Sequence, residues 1–180
     1  MNDDVRAALL RQIKDKAVVH GRVTLSSGAE ADFYIDLRRI TLDGESAPLA
    51  GQAMLDATAH LDYDAVGGLT LGADPVASSM LHAAAARGRH LDAFVVRKAG
   101  KAHGLQRRIE GPDVAGRRVL IVEDTSTTGN SPLTAVEAAR QAGAEVVAVA
   151  TIVERGAAPA MERAGVPYVY AFDLDDLELG

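Results

Sequence analysis

One run of four apolar residues, at 119–122, is followed directly by two acids and then by several hydroxyl residues. Three of the four apolar residues are β-branched, which is typical of a strand buried on both faces of a parallel sheet. The polar run ends at Ser131 and Pro132, and this pair predicts a helix start with Ser131 as N-cap. We expect that helix to continue to about Gln141 and to end at Gly143, because glycine readily adopts the left-handed conformation found after helices.

In the rest of the chain, segments with the spacing of apolar residues typical of helices alternate with segments typical of strands. Helical spacing predicts helices over residues 3–16, 46–60, 75–87 and 156–164, the first of them capped by Asp3 or Asp4, and a last helical turn within 173–179. Short β-branched runs predict strands over 18–25, 31–37, 65–67, 93–96, 146–153 and 168–170. This alternation predicts an α/β fold with a central parallel sheet flanked by helices. The first two strands would form a small hairpin that caps the carboxyl ends of the sheet strands.

Length, charge and composition narrow the class of protein. A chain of 180 residues corresponds to one domain, since domains commonly have about 100–200 residues. The net charge of −6 argues against a nucleic-acid binder, and the absence of cysteine excludes disulfide or thiolate chemistry. The apolar runs are too short to cross a membrane, and the acidic N-terminus is unlike a signal peptide. We therefore expect a cytoplasmic protein that binds neither nucleic acid nor membrane.

The polar stretch after the central strand has the pattern of a phosphate site. A strand, a polar loop and a capped helix direct backbone N–H groups and the positive end of the helix dipole toward the loop. The stretch is neither a Walker loop nor a dinucleotide fingerprint, because it contains no Gly-Lys-Ser/Thr and no Gly-x-Gly-x-x-Gly. Further hydrogen bonds to a phosphate can come from the hydroxyl groups of Thr125, Ser126, Thr127, Thr128 and Ser131.

The two acids before this loop are suited to a ligand group other than a phosphate. Glu123 and Asp124 would repel a phosphate, but they can accept hydrogen bonds from a sugar diol or hold Mg²⁺ through it. A phosphate at one end and a diol at the other match ribose 5-phosphate. The alternative is a strand end with a solvated acidic turn, but the agreement of several local signals favours a binding site.

Residues 119–131 resemble the phosphoribosyl-pyrophosphate (PRPP) binding motif of type I phosphoribosyltransferases, in which an apolar run precedes two acids and a Thr/Gly-rich loop. The resemblance implies the type I phosphoribosyltransferase fold, with one domain over residues 1–180 and residues 1–45 contributing the cap over the active site. It also implies that Glu123 and Asp124 hold the ribose diol. The implied ligands of the 5-phosphate are Thr125, Ser126, Thr127, Thr128, Gly129, Asn130 and Ser131.

Residues 97–116 form a second polar stretch, which is long for a connection and unusually basic for an acidic chain. A basic run of this kind is commonly a solvated surface loop, and a nucleic-acid contact is disfavoured because aromatic residues are missing. The third interpretation is a mobile lid whose cations close over a pyrophosphate, with glycines that permit movement. Its cationic residues are Arg97, Lys98, Lys101, His103, Arg107 and Arg108.

The order of residues within this stretch is more specific than its charge. The sequence R-K-A-G-K-A-H-G at 97–104 resembles the catalytic loop of the orotate phosphoribosyltransferase family, R-K-x-x-K-x-H-G. The resemblance implies that Lys98, Lys101 and His103 are catalytic together with Asp124, and that Arg97 joins the three in binding PRPP. It also implies a homodimer in which this lid loop is shared between the subunits.

Arg155 follows another predicted strand and lies next to the central motif in the expected sheet. Its guanidinium could neutralise nearby acids, or it could bind a carboxylate through two parallel hydrogen bonds, which lysine does less well. Orotate carries such a carboxylate, whereas uracil and the purines do not. The family resemblance implies that Arg155 and Thr127 contact orotate.

The resemblance implies transfer of the ribosyl 5-phosphate group from PRPP to orotate, which gives orotidine 5′-phosphate and pyrophosphate in pyrimidine synthesis. It implies Mg²⁺ as a cofactor bound mainly through PRPP, with no direct protein ligand, and the five histidines indeed lack metal-ligand spacing. Many relatives carry lysines at the positions of Ser26 and Ala73, and Arg38 and Arg39 are candidates to replace them. The alternatives are transfer to another base and a non-catalytic regulator that senses PRPP.

Overall fold

The computed structural model of the chain describes residues 2–24, 30–98 and 108–179. Its first helix, α1 (Asp3–Gln12), continues into a π-helical turn over Ile13–Ala17. Asn2 caps the helix, because its Oδ1 accepts a hydrogen bond from the amide of Asp4 at 3.0 Å. The prediction of Asp3 or Asp4 as the cap is therefore wrong. Both acids lie in the first turn, where negative charge is favoured by the helix dipole.

The predicted hairpin is present. Strand β1 (Val18–Thr24) pairs antiparallel with β2 (Glu30–Ile35), and the two form a sheet of their own. β2 ends two residues before the predicted end because the chain turns at Asp36, whose amide donates to Ala17 O at 3.0 Å, into the short helix α2 (Arg38–Thr41). This turn returns the chain to the end of the π-helical segment and fixes the hairpin against it.

Helix α3 (Ser46–Ala57) begins at Ser46, as predicted, but an upstream residue caps it. Asp43 Oδ2 accepts hydrogen bonds from Ser46 N at 2.9 Å and from Ser46 Oγ at 2.7 Å. The same oxygen accepts a bond from Lys16 Nζ at 2.9 Å, so one carboxylate joins the first helical segment to α3. The ion pair with Lys16, followed by the bonds from Ser46, lowers the pKa of Asp43 below its ordinary value.

We expect Asp43→Asn to lower the thermal unfolding midpoint at neutral pH and to make it less dependent on pH. A carboxylate with a lowered pKa stabilises the fold above the unfolded pKa of about 4, and this contribution disappears as the pH falls through the folded pKa. The difference in midpoint between the variant and the parent should therefore shrink on acidification. Midpoints measured from pH 6 to pH 2 test this, with Asp15→Asn, an exposed neighbour, as the control. A constant difference would contradict the role of the Asp43 charge.

The main sheet has six strands in the order β5-β4-β3-β6-β7-β8. All adjacent strands are parallel except β5, which is antiparallel to β4. The strands are β3 (Ala65–Leu69), β4 (Asp92–Val96), β5 (Ile109–Glu110), β6 (Arg118–Ser126), β7 (Glu145–Glu154) and β8 (Tyr168–Phe172). The helices that connect them are α4 (Ala73–Ala86), α5 (Asn130–Gln141) and α6 (Ala158–Arg163). The predicted α/β class is confirmed, with the antiparallel edge strand β5 as an addition.

The central strand β6 is buried on both faces and divides the core in two. Leu120 and Val122 belong to the apolar cluster that includes α1, α3 and α4, whereas Val119 and Ile121 belong to the cluster that includes α5. β6 lies between β3 and β7, where the order of strands along the sheet reverses. Clefts in open α/β sheets form at the carboxyl ends of strands at such a point.

The C-terminal segment contradicts one prediction, because residues 173–179 form hydrogen-bonded turns and contain no helix. Leu177 is buried in the core, and Asp176 Oδ1 forms an ion pair with Arg6 Nη2 at 2.8 Å. The segment is thus fixed to α1 by packing and charge. Within the described ranges, none of the helices has both the length and the apolar character needed to span a membrane.

Candidate active site

A polar cleft of about 340 Å³ lies at the carboxyl ends of β3 and β6, beside the hairpin. β6 provides its acidic wall, the turn after β3 provides the opposite wall, and the segment from β2 to α2 covers one side. Of the residues predicted from sequence, the cleft brings together Lys98, Glu123, Asp124, Thr125, Ser131 and Arg155. These residues come from three separate segments that meet at the reversal of strand order.

Two adjacent carboxyl groups, one buried and one half-buried, form the acidic wall of this cleft. Glu123 is 6% exposed, and burial followed by repulsion from Asp124 raises its pKa to about 8. Burial also raises the pKa of Asp124, although its Oδ1 accepts a 2.7 Å bond from Thr125 N. A raised pKa means that folding opposes ionisation of the group, so the fold loses stability as the pH rises from the unfolded pKa of about 4 to the raised pKa, which is about 8 for Glu123. The cleft thus contains carboxyl groups in surroundings that disfavour their charged forms, which is typical of a functional site.

Gly72 lets the turn after β3 approach these acids closely. A Cβ at this position would overlap with Glu123 Oε1 and would lie 2.9 Å from Asp124 Oδ1. The same turn contains a cis peptide bond between Thr70 and Leu71, and the Thr70 hydroxyl donates to Asp74 Oδ2 at 2.7 Å. A larger residue at Gly72 would displace the acid pair from its position in the cleft.

The loop after β6 begins later than its sequence predicted. Thr125 and Ser126 still pair with β7, opposite Val153 and Glu154. The prediction of Ser131 as the N-cap of α5 is wrong, because Gly129 occupies that position with φ of +78°, where glycine carries no steric penalty. The helix ends as predicted, with Gly143 in the left-handed conformation after Gln141.

Within this loop the hydroxyl groups differ in what they do. Ser126 is buried and its Oγ accepts a bond from Gly129 N at 3.2 Å, while Thr128 Oγ1 accepts one from Asn130 N at 3.4 Å. Both side chains therefore support the backbone of the loop. Thr127, Thr128 and Asn130 are exposed and do not line the cleft. Contacts of these residues with a phosphate stay a prediction.

The predicted basic lid starts from a hairpin that the sequence pattern did not reveal. Arg97 N donates to Arg108 O at 2.8 Å, and the Arg108 guanidinium donates to the carbonyls of Arg97 and Lys98 at 3.2 and 3.3 Å. Arg97 forms an ion pair with Glu110 at 3.4 Å and lies outside the cleft walls, whereas Lys98 lines the cleft. Lys101, His103 and Arg107 lie outside the described residues, so their positions stay predictions.

Arg155 directly follows β7 and lines the same cleft as the acid pair. Its amide donates to Ser126 O at 3.1 Å, which extends the ladder between β6 and β7 by one residue. The side chain is half-buried, and burial lowers the pKa of its guanidinium from the ordinary value while the Asp124 charge opposes this. Within the part of the chain that the structure describes, no carboxylate forms an ion pair with it. A half-buried guanidinium without a partner is suited to an external carboxylate.

Two residues that line the cleft, Tyr34 and Arg38, lie outside the main sequence motifs. Tyr34 in β2 lines the cleft, and its hydroxyl accepts a 3.4 Å bond from Arg38 Nη2. Arg38 lines the cleft as well and is held by Asp36 at 2.9 Å, so it is the better placed of the two candidates for the missing lysines. Ala73 is fully buried, and Ser26 lies outside the described residues. The alternation of β2 is the signal that could have identified Tyr34.

Comparison with known proteins agrees with this geometry. Residues 56–171 match the family model for the phosphoribosyl transferase domain. The chain is 77% identical over 180 residues to a protein named orotate phosphoribosyltransferase from Streptomyces avermitilis, covering 98% of this chain and 99% of the relative.

Solved structures give the same result. The Mycobacterium tuberculosis orotate phosphoribosyltransferase in complex with Fe(III) dicitrate superposes with a TM-score of 0.87 at 58% identity, covering 96% of this chain and 98% of the other. The structure of the same enzyme in complex with PRPP superposes with a TM-score of 0.85 at 52% identity, covering 97% and 99% of the two chains.

Proposed function

The chain belongs to the orotate phosphoribosyltransferase family, and from this membership we propose how its cleft carries out the reaction. Enzymes of this kind transfer the ribosyl 5-phosphate group from PRPP to orotate. In the proposed arrangement Arg155 holds the carboxylate of orotate, with Thr127 beside it. Glu123 and Asp124 hold the ribose diol between the base and the phosphate loop. The 5-phosphate is bound by Thr125, Ser126, Thr127, Thr128, Gly129, Asn130 and Ser131.

The observation that carries this proposal is that a guanidinium and two carboxyl groups line one cleft. Arg155 presents a guanidinium with no ion-pair partner among the described residues, and Glu123 and Asp124 line the same cleft with carboxyl oxygens. A ligand with a carboxylate at one end and vicinal hydroxyls at the other satisfies both. Orotate and PRPP together provide these groups, whereas uracil or a purine leaves Arg155 unpaired at a cost of about 1–3 kcal/mol or more.

Displacement at the anomeric carbon builds positive charge on the ribose ring while pyrophosphate leaves. The protein therefore contributes positioning and electrostatic stabilisation and forms no covalent bond with the substrate. In this proposal the Asp124 carboxylate stabilises the ribose, and Lys98, which lines the same cleft, neutralises the leaving group. We assign Lys101, His103 and Arg97 to the same task on the basis of the family motif.

We propose that Mg²⁺ is required and arrives with PRPP. Within the described ranges, no group of three or more His, Asp or Glu side chains could hold a metal alone. Glu123 and Asp124 would act on this ion through the ribose diol that they hold, so PRPP and water would provide its direct oxygen ligands. When bound, the ion neutralises the charge of the leaving pyrophosphate.

We expect a chelator to abolish turnover without unfolding the protein, because this ion comes with the substrate. Orotate-dependent consumption of PRPP should fall to the background rate in excess EDTA and return on addition of Mg²⁺. The thermal unfolding midpoint of the free protein should not change with EDTA. A lower midpoint in EDTA would indicate a resident structural metal and contradict this proposal.

We propose a homodimer, and a second feature of the surface supports it. An apolar groove of about 600 Å³ runs between α3 and α4, and its walls include Leu42, which is 68% exposed, and Leu71, which is 59% exposed. Leu71 also lines the polar cleft, so the two surfaces are continuous. A second copy of the chain on this groove would cover apolar surface and lie beside the cleft, where a shared lid could reach it.

Subunit mixing tests the shared lid. We expect Lys101→Ala and Asp124→Asn homodimers each to have very low activity, and we expect their mixture to recover activity after exchange. If the loop of one subunit serves the cleft of the other, each mixed dimer has one site with both defects and one intact site. Mass spectrometry of tagged subunits confirms exchange. A mixture that exchanges fully and stays inactive would show that Lys101 serves its own subunit.

An assay with a panel of bases tests the substrate. The protein should consume PRPP with orotate and release equal amounts of pyrophosphate and orotidine 5′-phosphate. It should show little turnover with uracil, adenine or hypoxanthine. Turnover with one of those bases in place of orotate would favour a different phosphoribosyltransferase. If the protein bound PRPP but consumed it with none of these bases, the result would favour a non-catalytic regulator that senses PRPP.

A further inference from the structure

We infer that Glu154 is a positioning residue that sets the direction in which Arg155 points into the cleft. The inference rests on the proposed role of Arg155 as the ligand of the orotate carboxylate. Glu154 is the last residue of β7, directly before Arg155, and it is not among the walls of the cleft. It would therefore act on the substrate only through its neighbour.

The Glu154 carboxylate binds the backbone that follows Arg155. Its Oε1 accepts hydrogen bonds from Gly156 N at 2.8 Å and from Ala158 N at 3.1 Å. Its Oε2 accepts a bond from Ala157 N at 3.1 Å. Three successive amides are thus bonded to one side chain, and the chain reverses direction around it, with φ of +111° at Gly156.

Hydrogen bonds through two hydroxyl groups connect this carboxylate to the sheet. The Tyr168 hydroxyl in β8 donates to Glu154 Oε2 at 3.4 Å and shares a 2.9 Å hydrogen bond with Thr151 Oγ1 in β7. Thr151 is fully buried, so this chain of groups starts in the rigid core. Burial raises the pKa of Tyr168 above its ordinary value, so its hydroxyl keeps its proton and can donate.

Arg155 therefore lies between two fixed points of the backbone. Its own amide is bonded to Ser126 O, and the next three amides are bonded to Glu154. Without the second restraint, the loop could rotate and bring the guanidinium out to water or toward Asp124, whose charge already acts on it. A guanidinium held in place loses less freedom when it binds a carboxylate, so binding is stronger.

We expect Glu154→Ala to raise KM for orotate roughly 10- to 100-fold, the effect of losing charge-assisted hydrogen bonds, and to change KM for PRPP less than threefold. Glu154→Gln keeps one acceptor oxygen and should lie between the parent and Glu154→Ala, and Tyr168→Phe should have the smallest effect. Glu162→Ala, at an exposed glutamate in α6, is the matched control. Equal losses for both substrates would indicate a general structural role and overturn the inference.

A double-mutant cycle gives the sharpest readout. If Glu154 acts through Arg155, Glu154→Ala should have no further effect on KM for orotate in an Arg155→Ala background. A full additional loss in that background would overturn the inference. Hydrogen exchange of the amides of residues 156–158 should be faster in Glu154→Ala, and this readout does not depend on catalysis. Inactivity of the parent with orotate would contradict the proposed function, whereas unchanged exchange would contradict the role of Glu154.

Discussion

Asp124→Asn should lower kcat/KM on the order of 100-fold or more while the fold stays intact or becomes slightly more stable. The asparagine keeps the oxygen that accepts from Thr125 N, but it replaces the other acceptor by a donor that faces the ribose hydroxyls. Burial raises the pKa values of both Glu123 and Asp124, so their ionised forms destabilise the free protein, and replacing one of them by a neutral amide relieves this. Steady-state kinetics and the thermal unfolding midpoint, measured on the same sample, test both parts.

Asp113→Asn is the matched control for this substitution. Asp113 is exposed in a surface loop away from the cleft, and its Oδ1 likewise accepts a bond from a backbone amide, that of Ala115, at 3.1 Å. This variant should keep the parent activity. Unchanged kinetics in Asp124→Asn would contradict the proposed role of Asp124 in binding the ribose. A large drop in the thermal unfolding midpoint of this variant would show that the residue has a structural role instead.

Arg155→Ala should weaken orotate binding far more than PRPP binding. Removing the guanidinium leaves the carboxylate of orotate unpaired in a partly dry cleft, at a cost on the order of 2–5 kcal/mol. This corresponds to a rise in KM for orotate of roughly 30-fold or more, whereas KM for PRPP should change less than threefold. Initial rates with each substrate varied in turn give both constants.

Two further variants separate charge from geometry. Arg155→Lys keeps the positive charge but loses the planar pair of donors, so its KM for orotate should lie between those of the parent and the alanine variant. Arg163→Ala removes an exposed arginine at the end of α6 and should have no effect. If Arg155→Ala raised KM equally for both substrates, the residue would support the cleft as a whole.

The parts of the site that sequence alone predicted are the local ones. Strand β6, its two acids and the hydroxyl-rich loop are contiguous, so their hydrophobic pattern and polar composition identify them directly. The start of α5 was misplaced because serine before proline is a good cap in general, whereas here Gly129 makes the required left-handed turn. A residue's conformation at such a turn depends on the packing around it, which the pattern does not contain.

Other features depend on contacts that are distant in sequence. β5 has two residues, too few for any periodicity, and it exists because it pairs with β4. Tyr34 and Arg38 reach the cleft because the chain after β2 is bonded back to Ala17. The bonds of Glu154 to Tyr168 and to the backbone after Arg155 likewise form only in the folded chain. The magnesium requirement, the homodimer and the cytoplasmic location stay predictions.

A crystal structure of the protein with orotate, PRPP and an excess of Mg²⁺, in a slow variant such as Asp124→Asn, tests the central claim most directly. That claim is that one cleft holds both substrates, with the base carboxylate at Arg155 and the ribose at the acid pair. We predict electron density for the orotate carboxylate within hydrogen-bond distance of the Arg155 guanidinium, and for the ribose hydroxyls beside Glu123. Density for orotate elsewhere, with Arg155 turned away from it, would contradict the account.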